Sequence, residues 1–210
     1  MSIQDLRQAV LAGDEDGAAR LAQAELDAGT SPSAIMNDGL IAAMDEAGAK
    51  MATGELFIPE VLVAADAMKA AMNVVSPLLV GADAGGRGTV VIGAVEGDIH
   101  EIGKGLVSLM LDGAGFTVID LGVDVKSAAF VAAAQEHHAD VVAMSSLMVT
   151  TMPKMKFVVD ALHEAQCAAR PIVGGAPLSQ AYADEIGAAG YAPDAGAAVT
   201  LVRELLAAAV

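Results

Sequence analysis

The chain has 210 residues, 55% of them apolar, and a formal charge of −16; that is enough material for one large domain or two small ones around a buried core. Acidic residues outnumber basic ones by 13 to 4 over residues 1–85 and by 14 to 7 beyond, and there is no Trp, so both the basic footprint and the stacking platforms of a nucleic-acid partner are missing. A single Cys167 excludes an internal disulfide or a multi-thiolate metal site; with no signal-peptide pattern and no bilayer-length apolar run, a cytoplasmic protein without a membrane partner is expected.

From Met1 to about Leu79 the pattern is helical. Two short helices, roughly Ser2 to Ala12 and Asp14 to Ala28, come first. The next begins at Ser31 as N-cap with Pro32 at the first helical position, carries Met36, Leu40, Met44, Ala47 and Met51 at spacings of four and three, and ends at Gly54. A fourth starts near Pro59 with a stripe of Val61, Ala65, Met68, Met72 and Val75. Together they predict a small four-helix bundle whose methionines are core residues first. "GADAGGRG", Gly81 to Gly88, breaks all periodicity and reads as a linker, which sets a helical domain over 1–85 and a second domain over 86–210.

Beyond the linker the period changes. "TVVIGAV", "FTVIDLG", "DVVAMSS", "RPIVGG" and "GYA" are short apolar runs separated by helix-sized segments. Such runs predict an α/β domain, a doubly wound five-stranded parallel sheet covered on both faces. Ligands bind such sheets at the carboxyl ends of the strands, where "EGDIHEIG", "SSLMVTTM" and "GGAP" all fall.

The loop after the first strand carries the chemistry. Gly97, Gly103 and Gly105 suggest a phosphate cradle, but five residues separate the first two and Gly105 follows Lys104, so the Walker spacing fails. Asp98 and Glu101 would also oppose an anion there. "HEIGK" has Lys104 where a zinc protease needs its second histidine. What remains is His100, two residues from Asp98. A carboxylate on one ring nitrogen fixes the tautomer and presents the other lone pair, so His100 would suit a metal that brings its other ligands with it, while a polar histidine capping a helix is the bland alternative. His137, His138 and His163 fall in predicted helix segments and read as surface residues.

These residues carry a resemblance. Asp98, His100 and Gly103, then 41 residues, Ser145 and Leu147, then 26 residues, Gly174 and Gly175: the pattern is similar to that of the cobalamin-binding proteins. The helical half, from "GLIAAMDEAGAKMATGELFIPEV" onward, resembles the cap of the small corrinoid proteins that serve methyltransferases, and the corresponding part of the methionine synthase module.

The resemblance implies a cobalamin held base-off and His-on, cycling between cob(I)alamin and methylcobalamin in demethylation and one-carbon metabolism. His100 would be the axial ligand to cobalt, with Asp98 on its far nitrogen and Thr151, six residues after Ser145, closing a relay. Ser145 would bond the buried lower base, with Gly103, Leu147, Gly174 and Gly175 lining the cofactor. Val149 stands where a Thr is common, so Thr150 is the alternative tail contact, and Phe57 is the aromatic expected over the upper face. The implied activity is that of a non-catalytic methyl carrier, with a substrate-specific methyltransferase, a corrinoid-to-acceptor methyltransferase and a reductive activase as partners and a cap that swings aside to admit them. A cobalamin-dependent sensor or an adenosylcobalamin mutase small subunit are the alternatives.

Overall fold

A computed structural model describes residues 2–78 and 87–207. Two compact units divide the chain: Met1–Gly86 with Asp112–Gly115, and Arg87–Leu111 with Phe116–Val210. Most of the expected linker, residues 81–86, lies outside the described residues. Gly88 is part of the second unit: it has a φ of +142°, and its carbonyl accepts the Thr117 N–H at 2.9 Å.

The first unit comprises helices α1 (Ile3–Leu11), α2 (Glu15–Asp27), the short α3 (Pro32–Ala34), a π-helical stretch (Ile35–Ile41), α4 (Ala42–Thr53) and α5 (Ile58–Val75). Caps fix the ends. Ser2 and Asp5 form a capping box, Asp14 Oδ1 accepts the Gly17 N–H at 2.9 Å, Ser31 caps Pro32, and Gly54 ends α4 at a φ of +77°. At α5, Pro59 occupies the first turn and Glu60 accepts the Phe57 N–H at 2.7 Å. The α2 and α5 helices pack on each other, and both bury alanines, Ala18 and Ala22 on α2 and Ala64, Ala65, Ala67 and Ala71 on α5.

The π stretch changes the expected stripe. It places an extra residue in the turn, so Ile35, Leu40 and Ile41 are buried while Met36 is only half-buried. Gly39 lies against Leu6, where a Cβ would sit 3.0 Å from Cδ2. Against expectation, the segment Ile58–Leu78 is long and apolar enough to cross a membrane by length and composition; its Val61, Ala64, Met68 and Val75 are buried in the bundle.

The second unit is a five-stranded parallel sheet in the order β2-β1-β3-β4-β5: β1 (Thr89–Ala94), β2 (Thr117–Asp120), β3 (Val141–Ser145), β4 (Arg170–Gly174) and β5 (Gly190–Ala192). Helices α6 (Ile102–Gly113), α7 (Ser127–Glu136), α8 (Pro153–Glu164), α9 (Gln180–Ile186) and α10 (Ala195–Ala207) alternate with the strands. Val90, Val91 and Ile92 of β1 are buried, each stabilising the fold by about 1.5–3 kcal/mol. β2 is an edge strand, with Thr117 and Asp120 exposed. His137 and His138 follow α7 rather than lie within it, the latter at a φ of +49°, and His163 is exposed on α8. The strand order reverses at β1 and β3, so the loops after these two strands flank the switch point.

Candidate functional site

The loop after β1 begins with a tight turn. Asp98 N–H closes it onto the Val95 carbonyl at 2.9 Å, and Gly97, the third residue, has a φ of +83°. A side chain there would be strained and would meet Thr151 Cγ2 at 3.3 Å. The turn delivers Asp98 to a fully buried position and leaves the His100 side chain 44% exposed two residues later.

Asp98 uses both carboxylate oxygens. Oδ1 lies 2.8 Å from His100 Nδ1 and accepts the His100 backbone N–H at 3.0 Å. Oδ2 accepts the Leu147 N–H at 2.7 Å and faces the hydroxyls of Thr151 at 3.0 Å and Ser146 at 3.2 Å. Burial alone would raise this carboxyl's pKa; the backbone N–H groups of His100 and Leu147, the His100 ring and the Thr151 hydroxyl outweigh it and hold Asp98 well below the usual carboxylate range. An ionised Asp98 can only accept, so Nδ1 carries a proton, and in the neutral ring the lone pair is then on Nε2.

The loops that carry the imidazole and the Asp98 partners expose several aliphatic side chains, with the carboxylate of Glu101 exposed among them. Ile99, Ile102, Leu147 and Val149 are all exposed, Ile102 at 85%, and a Cβ at Gly103 would meet nothing within 4 Å. Large aliphatic side chains left in water beside a held imidazole form a collar suited to a flat, largely apolar ring. Ser145 ends β3, opposite Ala94 on β1 and Gly174 on β4, at the same edge. Thr150 is exposed beside Val149. Phe57, in the other unit, is 67% exposed.

Gly175 has a structural reason of its own. Its φ is +138°, and a Cβ would lie 1.9 Å from the Ser146 carbonyl oxygen. The second glycine therefore lets the β4 loop close on the β3 loop, where Ser146 N–H also donates to the Gly174 carbonyl at 3.2 Å. At Gly174 a Cβ would be 3.2 Å from the Ala192 carbonyl.

Three features escaped the motif. Ser146, buried and bonded to Asp98, stands next to the motif serine, and only its burial distinguishes it. Asp124 adopts a φ of +54° and grips the turn twice: its Oδ1 accepts the Gly97 N–H at 2.7 Å, and its N–H donates to the Asp98 carbonyl at 2.9 Å. Lys104, judged only as a failed zinc ligand, is buried and pairs with Asp120 at 2.5 Å, while Ser108 and the Gly122 N–H also bond that carboxylate. Burial opposes the ionised Asp120, but these partners hold its pKa below the ordinary value.

Such a site would offer one oriented nitrogen, backed by a buried carboxylate, to a metal that brings its other ligands with it. That defines a cofactor-binding α/β protein with a helical companion unit. A family model described as B12 binding domain matches residues 88–200, and a second of the same description matches residues 2–76. A corrinoid protein of Desulfitobacterium hafniense is 40% identical over 209 residues, covering 97% of each chain. Dimethylamine corrinoid protein 1 of Methanosarcina acetivorans is 43% identical over 211 residues, covering 98% of this chain and 97% of its own. A chain in the methanol:cobalamin methyltransferase complex of Methanosarcina barkeri superposes with a TM-score of 0.89 at 31% identity, over 98% of this chain and 79% of that one. The chain belongs to the corrinoid proteins built on the B12 binding domain, and cobalamin is its cofactor.

Proposed function

We propose that this protein carries methyl groups on cobalamin for a methyltransferase system, holding the cofactor base-off with His100 as the axial ligand. The observation that carries the reading is the exposed His100 ring, held through Nδ1 by a buried, ionised Asp98 inside an apolar collar. When bound, the cobalt supplies the nucleophile that takes up a methyl group and the centre that releases it. The protein binds, orients and shields.

Within this reading His100 offers Nε2, and Asp98 fixes the ring and adds negative charge behind it. Thr151 holds Asp98 in turn. Ser145 Oγ bonds the displaced lower base, and Gly103 and Gly174 leave room where a side chain would intrude on the corrinoid and its tail. Leu147 and Val149 present apolar surface to the ring, and Thr150 is the hydroxyl offered to the tail in place of the Thr expected at 149. Phe57, from residues 1–85, covers the upper face, and the sheet domain of residues 86–210 holds the tail.

The first partner is a substrate-specific methyltransferase. Support for donor choice by the partner comes from the names of the relatives, which span dimethylamine and trimethylamine corrinoid proteins and a methanol:cobalamin methyltransferase complex. An acceptor methyltransferase and a reductive activase complete the cycle, and the protein works in the cytoplasm.

Reconstitution with hydroxocobalamin followed by gel filtration and absorption spectroscopy tests the reading, with His100→Ala alongside. Retained corrinoid whose axial-ligand bands move in the variant is the expected result. Wild-type protein that loses all corrinoid on the column refutes the proposal; retention with identical spectra refutes His-on binding alone.

A further inference from the structure

Two hydroxyls, not one, face the Asp98 carboxylate. Ser146 and Thr151 sit on opposite ends of the loop after β3, both buried, with their oxygens 2.8 Å apart. Each also faces the same two acceptors. Ser146 Oγ is 3.2 Å from Asp98 Oδ2 and 3.2 Å from the Met148 carbonyl. Thr151 Oγ1 is 3.0 Å and 3.1 Å from the same two atoms.

We infer that Ser146 is a second positioning residue for the axial histidine, forming with Thr151 a clasp in which either hydroxyl can donate to Asp98. The proton count carries this. Each hydroxyl has one hydrogen, and the acceptors within reach are the carboxylate, the Met148 carbonyl and the other hydroxyl. One hydroxyl can donate to Asp98 while the other donates to that hydroxyl in turn, and the order can exchange without moving a heavy atom. When one hydroxyl is removed, the other faces both remaining acceptors with a single hydrogen. It goes to the carboxylate, because a hydrogen bond to an ionised acceptor is roughly twice as strong as one to a neutral carbonyl. Asp98 therefore keeps a hydroxyl donor, and the bond lost is the one between the hydroxyls, while the Met148 carbonyl keeps the Thr151 and Met152 N–H groups.

Gly175 is part of the device. With no Cβ, it allows the β4 loop to rest against the Ser146 carbonyl, and the Gly174 carbonyl receives the Ser146 N–H at 3.2 Å. Ser146 thus has its backbone fixed from the neighbouring strand, as a residue aiming a hydroxyl at a buried anion requires.

The inference rests on the corrinoid reading for its consequence, not for its geometry, so it is tested in both forms of the protein. In the cofactor-free chain, long-range proton–nitrogen correlation spectra give the fraction of His100 with its proton on Nδ1. In the hydroxocobalamin-loaded chain, absorption gives the ratio of histidine-ligated to unligated cofactor. Ser146→Ala and Thr151→Val should each move either ratio by less than about threefold, and the double variant by about tenfold or more, beyond the product of the singles. Asp98→Asn, which removes the acceptor itself, sets the full-scale response. If Thr151→Val alone equals the double variant, Ser146 cannot substitute and the inference fails; it fails equally if the double variant behaves as native. Should the double variant not fold, Thr151→Val against Asp98→Asn still decides: a loss as large as that of Asp98→Asn overturns the clasp, and a small loss upholds it. Failure of the native protein to bind corrinoid would overturn the proposed function while leaving the cofactor-free measurement intact.

Discussion

The helical unit and the carboxyl edge of the sheet spend their burial differently. Among the described residues, the helical unit buries Leu6, Val10, Ile35, Leu40, Val61 and a run of alanines, with Glu25 its one buried charged group, bonded by the Thr30 hydroxyl at 2.8 Å. The sheet edge buries Asp98, Lys104, Ser146 and Thr151. Burying such groups costs stability unless every one is paired, and each is. A polar set of this density at one end of one sheet marks where the fold serves a purpose other than its own cohesion.

The largest expected effect sharpens that contrast at its tightest point. Gly175→Ala would force a Cβ into the Ser146 carbonyl, and unfolding in urea should show a loss of roughly 3–5 kcal/mol, or no folded protein. In the helical unit, Leu6→Ala removes a fully buried side chain and should cost about 2–5 kcal/mol by the same measurement, with the His100 ring signals of the cofactor-free protein unmoved. If those ring signals shift, the two regions are not energetically separate.

Lys104→Met should cost about 1–2 kcal/mol, a figure discounted because Asp120 is partly exposed. Its pH signature is more specific. The Asp120 pKa is depressed in the folded chain, so the stability it lends is present above the unfolded value of about 4 and is lost as pH falls through the folded one. Removing Lys104 should shrink that acid-side loss; an unchanged acid limb would show that the pair contributes nothing to it. Asp124→Ala should cost about 1–2 kcal/mol, from the lost Gly97 bond and a left-handed backbone that alanine tolerates poorly, and Asp124→Asn should recover most of it. The smallest effect is expected at Phe57: exposed as it is, Phe57→Ala should leave unfolding within about 0.5 kcal/mol of native.

Much of this was legible in the residues. The five strands fall where short apolar runs predicted them, because a buried parallel strand can be built from little else. Asp98, which the resemblance paired with His100 and Thr151, is bonded by the ring of the one and the hydroxyl of the other. The π stretch over Ile35–Ile41 was not legible, since a stripe at spacings of three and four reads as ordinary α-helix until the neighbour it packs on is known. Ser146 hid beside Ser145 because a strand end gives no sign of which of two adjacent serines turns inward. Lys104 was weighed as a ligand, whereas its partner, sixteen residues on, is set by the β1–β2 pairing that aligns Ile92 with Asp120. Asp124 had a faint signal: aspartate is among the few side chains that tolerate a positive φ.

The interlock between Gly175 and Ser146 also bears on engineering. A histidine loop copied into another doubly wound sheet would arrive with its imidazole but without the neighbouring strand end against which Ser146 is seated. The transferable module is therefore three loops from three strands, and a designer who moves one must move all of them.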